Sequence, residues 1–100
     1  MSVLVVGKFP GDTPAFRAAL QDRAEEFESI GERARSQGCI HHRFGISDGI
    51  VVVVDEWESV EQFDAFFADP ELQAFIASVG AAPGPPDLTI SEAVASADQF

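Results

Sequence analysis

The sequence predicts an α+β fold of ferredoxin-like βαββαβ topology, with one antiparallel sheet in the spatial order 4-1-3-2. Three observations carry this expectation. First, Val3-Leu4-Val5-Val6 and Ile50-Val51-Val52-Val53-Val54 are unbroken apolar runs, as found in strands covered on both faces. Second, residues 39–46 and 88–94 alternate between apolar and polar positions, as half-exposed edge strands do. Third, helical periodicity follows the first and third strands, and right-handed crossovers then lay both helices on one face of the sheet.

Strand one runs over residues 3–9 and is broken by Pro10-Gly11-Asp12. Asp12 or Thr13 caps the following helix, and Pro14 suits its first turn. Phe16, Leu20, Ala24, Phe27, Gly31 and Ala34 recur at helical spacing and form one apolar stripe. A single helix is expected along that stripe, ending at Gly38 in the C′ position. Strand two spans 39–46. Asp48-Gly49 then makes a two-residue hairpin turn into strand three, residues 50–57. Ser59 and Gln62 form a capping box for the helix that begins at Val60. Asp69-Pro70 interrupts this helix, because proline cannot continue the hydrogen-bond ladder, while Asp69 can cap a fresh start. A two-piece or kinked helix ending near Gly80 follows. A proline-glycine loop at 81–86 leads to strand four at 88–94, and the residues after about Ser96 carry no clear pattern.

One hundred residues make one domain, 1–100, and 46 % hydrophobic content is enough to build a core. The net charge of −11 argues against nucleic-acid partners and against anionic membrane surfaces, both of which require cationic protein surface. Cys39 is the one cysteine, so an intrachain disulfide and a thiolate metal cluster are excluded, and it reads as a small buried hydrophobe. The chain enters an apolar strand directly, with neither a basic signal-peptide leader nor a run of about twenty apolar residues to span a bilayer. A cytoplasmic location is the default expectation.

Both helices are committed to one face of the sheet. The other faces of strands one and three would remain as a large apolar patch, and a second copy packed sheet against sheet is the economical cover. A homodimer is therefore expected from the pattern alone.

The hairpin turn sets a register in which Ser47 pairs with Ile50. Ile40, His42, Phe44 and Ile46 then share a face with Trp57, Asp55, Val53 and Val51. His42 falls opposite Asp55, with Trp57 and Phe44 beside them. A carboxylate next to an imidazole fixes its tautomer and raises its basicity, so this pair could deprotonate a phenolic substrate held against the aromatic wall. An ordinary cross-strand ion pair is the alternative. On the opposite face His41, Arg43, Val52, Val54 and Glu56 are candidates for the dimer interface. His41 and His42 point to opposite faces and make a poor metal motif, so no metal is expected. Phe63, Phe66, Phe67 and Phe75 are core residues first, some of which could line a pocket. No phosphate loop, nucleophile elbow or zinc-protease helix motif is present.

At the junction of strand three and its helix the chain resembles the antibiotic biosynthesis monooxygenase family of dimeric α/β-barrel proteins. Asp55-Glu56-Trp57-Glu58-Ser59 matches the family's acidic-x-Trp turn, and Asp69-Pro70-Glu71-Leu72-Gln73-Ala74-Phe75 matches its later Pro-His-Phe-x-Ala-aromatic segment in register. The resemblance implies a dimer with an aromatic-lined cavity between the sheet and helices of each subunit. It implies oxidation of quinols or polycyclic phenols by molecular oxygen, often without metal, flavin or haem. The family's helix histidine falls on Phe66 here and its second histidine on Glu71. The Trp and His of haem-degrading relatives fall on Phe66 and Ile76, and their strand-one Asn is replaced by Gly7-Lys8, which disfavours haem degradation. The expected function is a cofactor-independent monooxygenase acting on an aromatic or quinol-type molecule. His42 and Asp55 would be catalytic, with Trp57, Phe44, Phe66 and Phe63 around the substrate. The competing expectation is a non-catalytic dimeric barrel that binds a small ligand or serves as a stress-related accessory module.

Overall fold

The computed structural model describes residues 1–100. Its elements are β1 (Val3–Pro10), α1 (Thr13–Asp22), α2 (Ala24–Ser36), β2 (Cys39–Ser47), β3 (Ile50–Trp57), α3 (Val60–Phe67), α4 (Pro70–Ser78) and β4 (Asp87–Glu92). The strands form one antiparallel sheet in the order β2-β3-β1-β4, which is the expected ferredoxin-like arrangement. The two continuous apolar runs occupy the centre and the alternating strands the edges, because a central strand has less access to water on either side. No helix is long and apolar enough to cross a membrane.

Four local expectations need correction. The first helical segment is not one helix. Arg23 leaves the helix at φ −122°, ψ 32°, and serves both as the C-cap of α1 and the N-cap of α2. Its guanidinium donates to both carboxylate oxygens of Glu26 at 2.8 Å and to Ser78 Oγ at 2.7 Å, and lies 4.7 Å from the centre of the Phe75 ring. The apolar stripe continues across the break, and periodicity reports faces rather than continuity, so the break leaves no trace in the pattern.

The capping box at Ser59 is half formed. Gln62 N–H donates to Ser59 Oγ at 3.2 Å, but the Gln62 side chain accepts the Ser59 hydroxyl instead of turning back to the backbone. The Gln62 side chain donates to Glu58 at 3.2 Å and packs on Gly38, at φ +116°, where a Cβ would stand 2.6 Å from Nε2. The third correction concerns β4, which ends at Glu92 rather than Val94, because its partner β1 begins at Val3, directly opposite Glu92.

The fourth lies in the β2–β3 ladder, which follows the expected register from Ser47↔Ile50 to His41↔Glu56 and then shifts. Cys39, not Ile40, faces Trp57, and Ile40 is bulged out and 45 % exposed. A bulge lets Cys39, the smaller and buried side chain, occupy the inner face beside the indole. The second helical segment breaks at Asp69-Pro70 as expected, with Asp69 Oδ1 capping Glu71 N–H at 3.0 Å, and α4 ends at Ser78, just short of Gly80.

The interior is hollow. Only 14 of 100 residues are buried, few for a chain that is 46 % hydrophobic, and the core divides into two clusters. One gathers Val5, Cys39, Trp57, Phe63, Phe66 and Leu72; the other gathers Phe16, Ala19, Val51 and Val79. Neither includes Leu4, Val6, Val52 or Val54, which alternate onto the outer face of the sheet. Leu4 and Val54 are 39 % and 46 % exposed there.

Candidate functional site

A cavity of about 410 Å³ is lined by residues of both core clusters, and its volume is within the range usual for small-molecule sites. Of its 30 lining residues, 21 are hydrophobic. Two groups of aromatic rings line it. In one, Trp57 packs against Phe66 and Phe63, at 5.2 and 5.7 Å between ring centres, and Phe63 stacks on Phe67. In the other, Phe27 meets Phe75 at 5.0 Å and Phe16 meets Phe44 at 5.1 Å, edge to face.

The polar groups concentrate in a small region of this lining. His42 Nδ1 stands 2.7 Å from Asp55 Oδ1, and Trp57 Nε1 donates to Asp55 Oδ2 at 3.2 Å. Strand alternation places Asp55 and Trp57 on the same face, and the register brings His42 across from Asp55. Asp55 is 7 % exposed, and both of its carboxylate oxygens are hydrogen-bonded, as a buried polar group requires. An ionised Asp55 can only accept, which puts the proton of neutral His42 on Nδ1 and leaves the lone pair on Nε2. The imidazole also packs on Phe44, 4.6 Å between ring centres. Its side chain is 43 % exposed while that of Asp55 is 9 % exposed, so His42 stands at the mouth and the carboxylate behind it.

The sequence-selected residues His42, Asp55, Trp57, Phe44, Phe66 and Phe63 all line this one cavity. Arg43, Val52, Val54 and Glu56 lie on the outer face; Glu56 accepts the Ser2 hydroxyl at 2.6 Å. His41 pairs with Glu56 on that side, yet its residue also borders the cavity at the bulge.

Three contributors escaped the sequence reading. Phe16 and Phe27 read as an ordinary apolar stripe, and only the packing makes them part of the lining. Cys39 also lines the cavity; burial, reinforced by the Asp55 charge, pushes its thiol up to about 11, and its S–H donates to the His41 carbonyl at 3.3 Å. The Trp57–Asp55 bond had a signal, the i, i+2 spacing in a strand. No group of three or more His, Cys, Asp or Glu side chains is placed to hold a metal ion.

The model of the antibiotic biosynthesis monooxygenase family matches residues 7–78. No curated protein matches the chain by sequence. Among solved structures, the chain is similar to a monooxygenase from the gene ActVA-Orf6 of Streptomyces coelicolor, determined in complex with nanaomycin D. The two are 26 % identical with a TM-score of 0.68, over 98 % of this chain and 93 % of that one. Rv0793 of Mycobacterium tuberculosis is 22 % identical with a TM-score of 0.65, over 98 % and 100 % of the two chains. SnoaB of Streptomyces nogalater, a cofactor-independent oxygenase, shares the fold at 14 % identity and a TM-score of 0.59, over 98 % of each chain. With the family model spanning most of the chain, from β1 through α4, this protein belongs to the antibiotic biosynthesis monooxygenase family.

Proposed function

We propose that this protein is a cofactor-independent monooxygenase acting on an aromatic, quinol-type molecule bound in the cavity beside Trp57. The observation that carries the reading is the His42–Asp55 pair, 2.7 Å apart, at the mouth of an otherwise apolar, aromatic-walled cavity. Nε2 of His42 accepts the proton of a phenolic hydroxyl, and Asp55 steadies the imidazolium that forms. The resulting electron-rich ring anion passes an electron to molecular oxygen, and the two radicals combine to form a carbon–oxygen bond. The imidazolium returns its proton to the peroxide. Loss of water, taking the hydrogen on the same carbon, leaves a quinone. One oxygen atom enters the product and the other leaves as water, so the substrate supplies all the electrons. Trp57, Phe44, Phe66 and Phe63 exclude water and stack the ring. The reaction as written uses no metal, flavin or haem.

The test is oxygen uptake with a panel of anthrones and naphthoquinols. His42→Ala lowers kcat about 10²–10⁴-fold, the usual loss for a general base. Uptake that is absent, or equal in wild type and His42→Ala, removes this assignment. A second reading, a ligand-binding protein without turnover, draws on Phe66 and Glu71 standing where the family has histidines. It is the reading to adopt if the same compounds quench Trp57 fluorescence while no oxygen is consumed.

We also propose that a second copy covers the outer sheet face. Leu4, Val6, Val52 and Val54 would form the apolar centre of that interface, with His41, Arg43 and Glu56 at its rim.

A further inference from the structure

Only five lining residues of the cavity are exposed: Asp12, Arg35, Ile40, His41 and His42. All but Asp12 lie where α2 ends and β2 begins, so the mouth is at that junction. The charges there are not balanced. Asp12 is occupied as the N-cap of α1, accepting from Ala15 N–H at 3.0 Å, and Asp55 is held by His42 and Trp57. Arg35 is the only Lys or Arg in the lining. Arg23 and Arg33 are paired to Glu26 and Asp69, but Arg35 makes no ion pair and no side-chain hydrogen bond. An unpaired guanidinium at the cavity mouth of a chain with net charge −11 is a feature that generic acidity does not supply.

Gly31 lies one turn before Arg35, also in the lining. A Cβ placed on Gly31 would meet nothing within 4 Å. Glycine inside a helix is unfavourable relative to alanine, and neither a close neighbour nor a positive φ requires it here. Helical side chains lean toward the N-terminus, over the turn that precedes them. Helix geometry therefore directs the Arg35 side chain toward the space beside Gly31.

We infer that Gly31 and Arg35 form an anion subsite at the cavity mouth, and that the ligand is an aromatic acid. Its flat apolar body lies against the aromatic rings of the lining. Its carboxylate sits over Gly31 and takes the paired N–H groups of Arg35. This inference rests on the cavity being the ligand site, as proposed above.

The test uses the single tryptophan, Trp57, as the reporter. Binding of anthraquinone-2-carboxylate and of the neutral anthraquinone-2-carboxamide is measured by fluorescence quenching. Wild type prefers the acid. Arg35→Gln weakens the acid about 10- to 100-fold and leaves the amide unchanged, and Arg35→Lys falls between, keeping the charge without the fork. Gly31→Leu, which raises helix propensity and whose fold is checked by far-UV circular dichroism, weakens both probes by filling the vacancy. Equal binding of acid and amide by wild type overturns the anion subsite while leaving the cavity reading in place. So does an Arg35→Gln variant that keeps the preference, which would reduce Arg35 to a partner of the α2 dipole. Unchanged binding in Gly31→Leu overturns the placement over Gly31. Quenching by neither probe overturns the subsite and the cavity reading together.

Discussion

Asp55 shows how a single buried carboxylate is accommodated. Its two oxygens accept from His42 and Trp57, and each bond has a separate consequence. The indole bond is structural: Trp57→Phe leaves Oδ2 unpaired in a buried position, at a cost of about 1–3 kcal/mol, measurable as a lower urea midpoint. The imidazole bond fixes which nitrogen is basic. Cys39 gives a second residue-scale prediction. With its thiol pushed up to about 11, it stays protonated at neutral pH, and iodoacetamide labels it far more slowly than it labels a free thiol. The linkage has a definite sign. The unfolded thiol ionises at lower pH than the folded one, so the contribution of Cys39 to stability is complete at neutral pH and is lost as pH rises toward 11. Cys39→Ala removes this alkaline loss. Urea midpoints of the two proteins compared at neutral pH and at about pH 10 check it.

Among the elements, the junction between β3 and α3 carries the most consequence. Ser59 caps α3, and α3 brings Phe63 and Phe66 onto Trp57. Ser59→Ala leaves Gln62 N–H without its acceptor and costs about 1 kcal/mol, read from thermal unfolding. Quenching of Trp57 should stay near wild type in that variant, because the aromatic wall itself is untouched. The hairpin and the two-piece second helix were legible because turn and cap residues act locally: Gly49 at φ +70° and Asp69 before Pro70 need only their neighbours. The break at Arg23 was not legible, because its partners Glu26, Ser78 and Phe75 include two from a distant helix. The bulge at Ile40 was hidden for a similar reason: it is set by which side chain fits beside Trp57.

For the whole molecule, the sheet has helices and a cavity on one side and a bare apolar strip on the other. If a second copy covers that strip, the purified protein sediments as a dimer at micromolar concentration. Val54→Asp, with a charge placed opposite Val6 in the centre of the strip, then sediments as a monomer while keeping its far-UV circular dichroism. A wild-type protein that sediments as a 10.7 kDa particle would remove the dimer without touching the cavity.

The sequence by itself determined the strand order, the hairpin register from His41 to Ser47, the N-caps Ser59 and Asp69 and the pairing of His42 with Asp55. Those features follow from alternation, turn chemistry and apolar periodicity, which act within an element or between neighbours. Only the tertiary structure decided that the apolar residues enclose a void rather than fill it, that Phe16 and Phe27 line it, and that Arg35 borders it without an ion pair. A hydrophobic pattern records which side chains leave water. It does not record whether they meet one another once they have left, and that depends on how far apart packing holds the helices and the sheet.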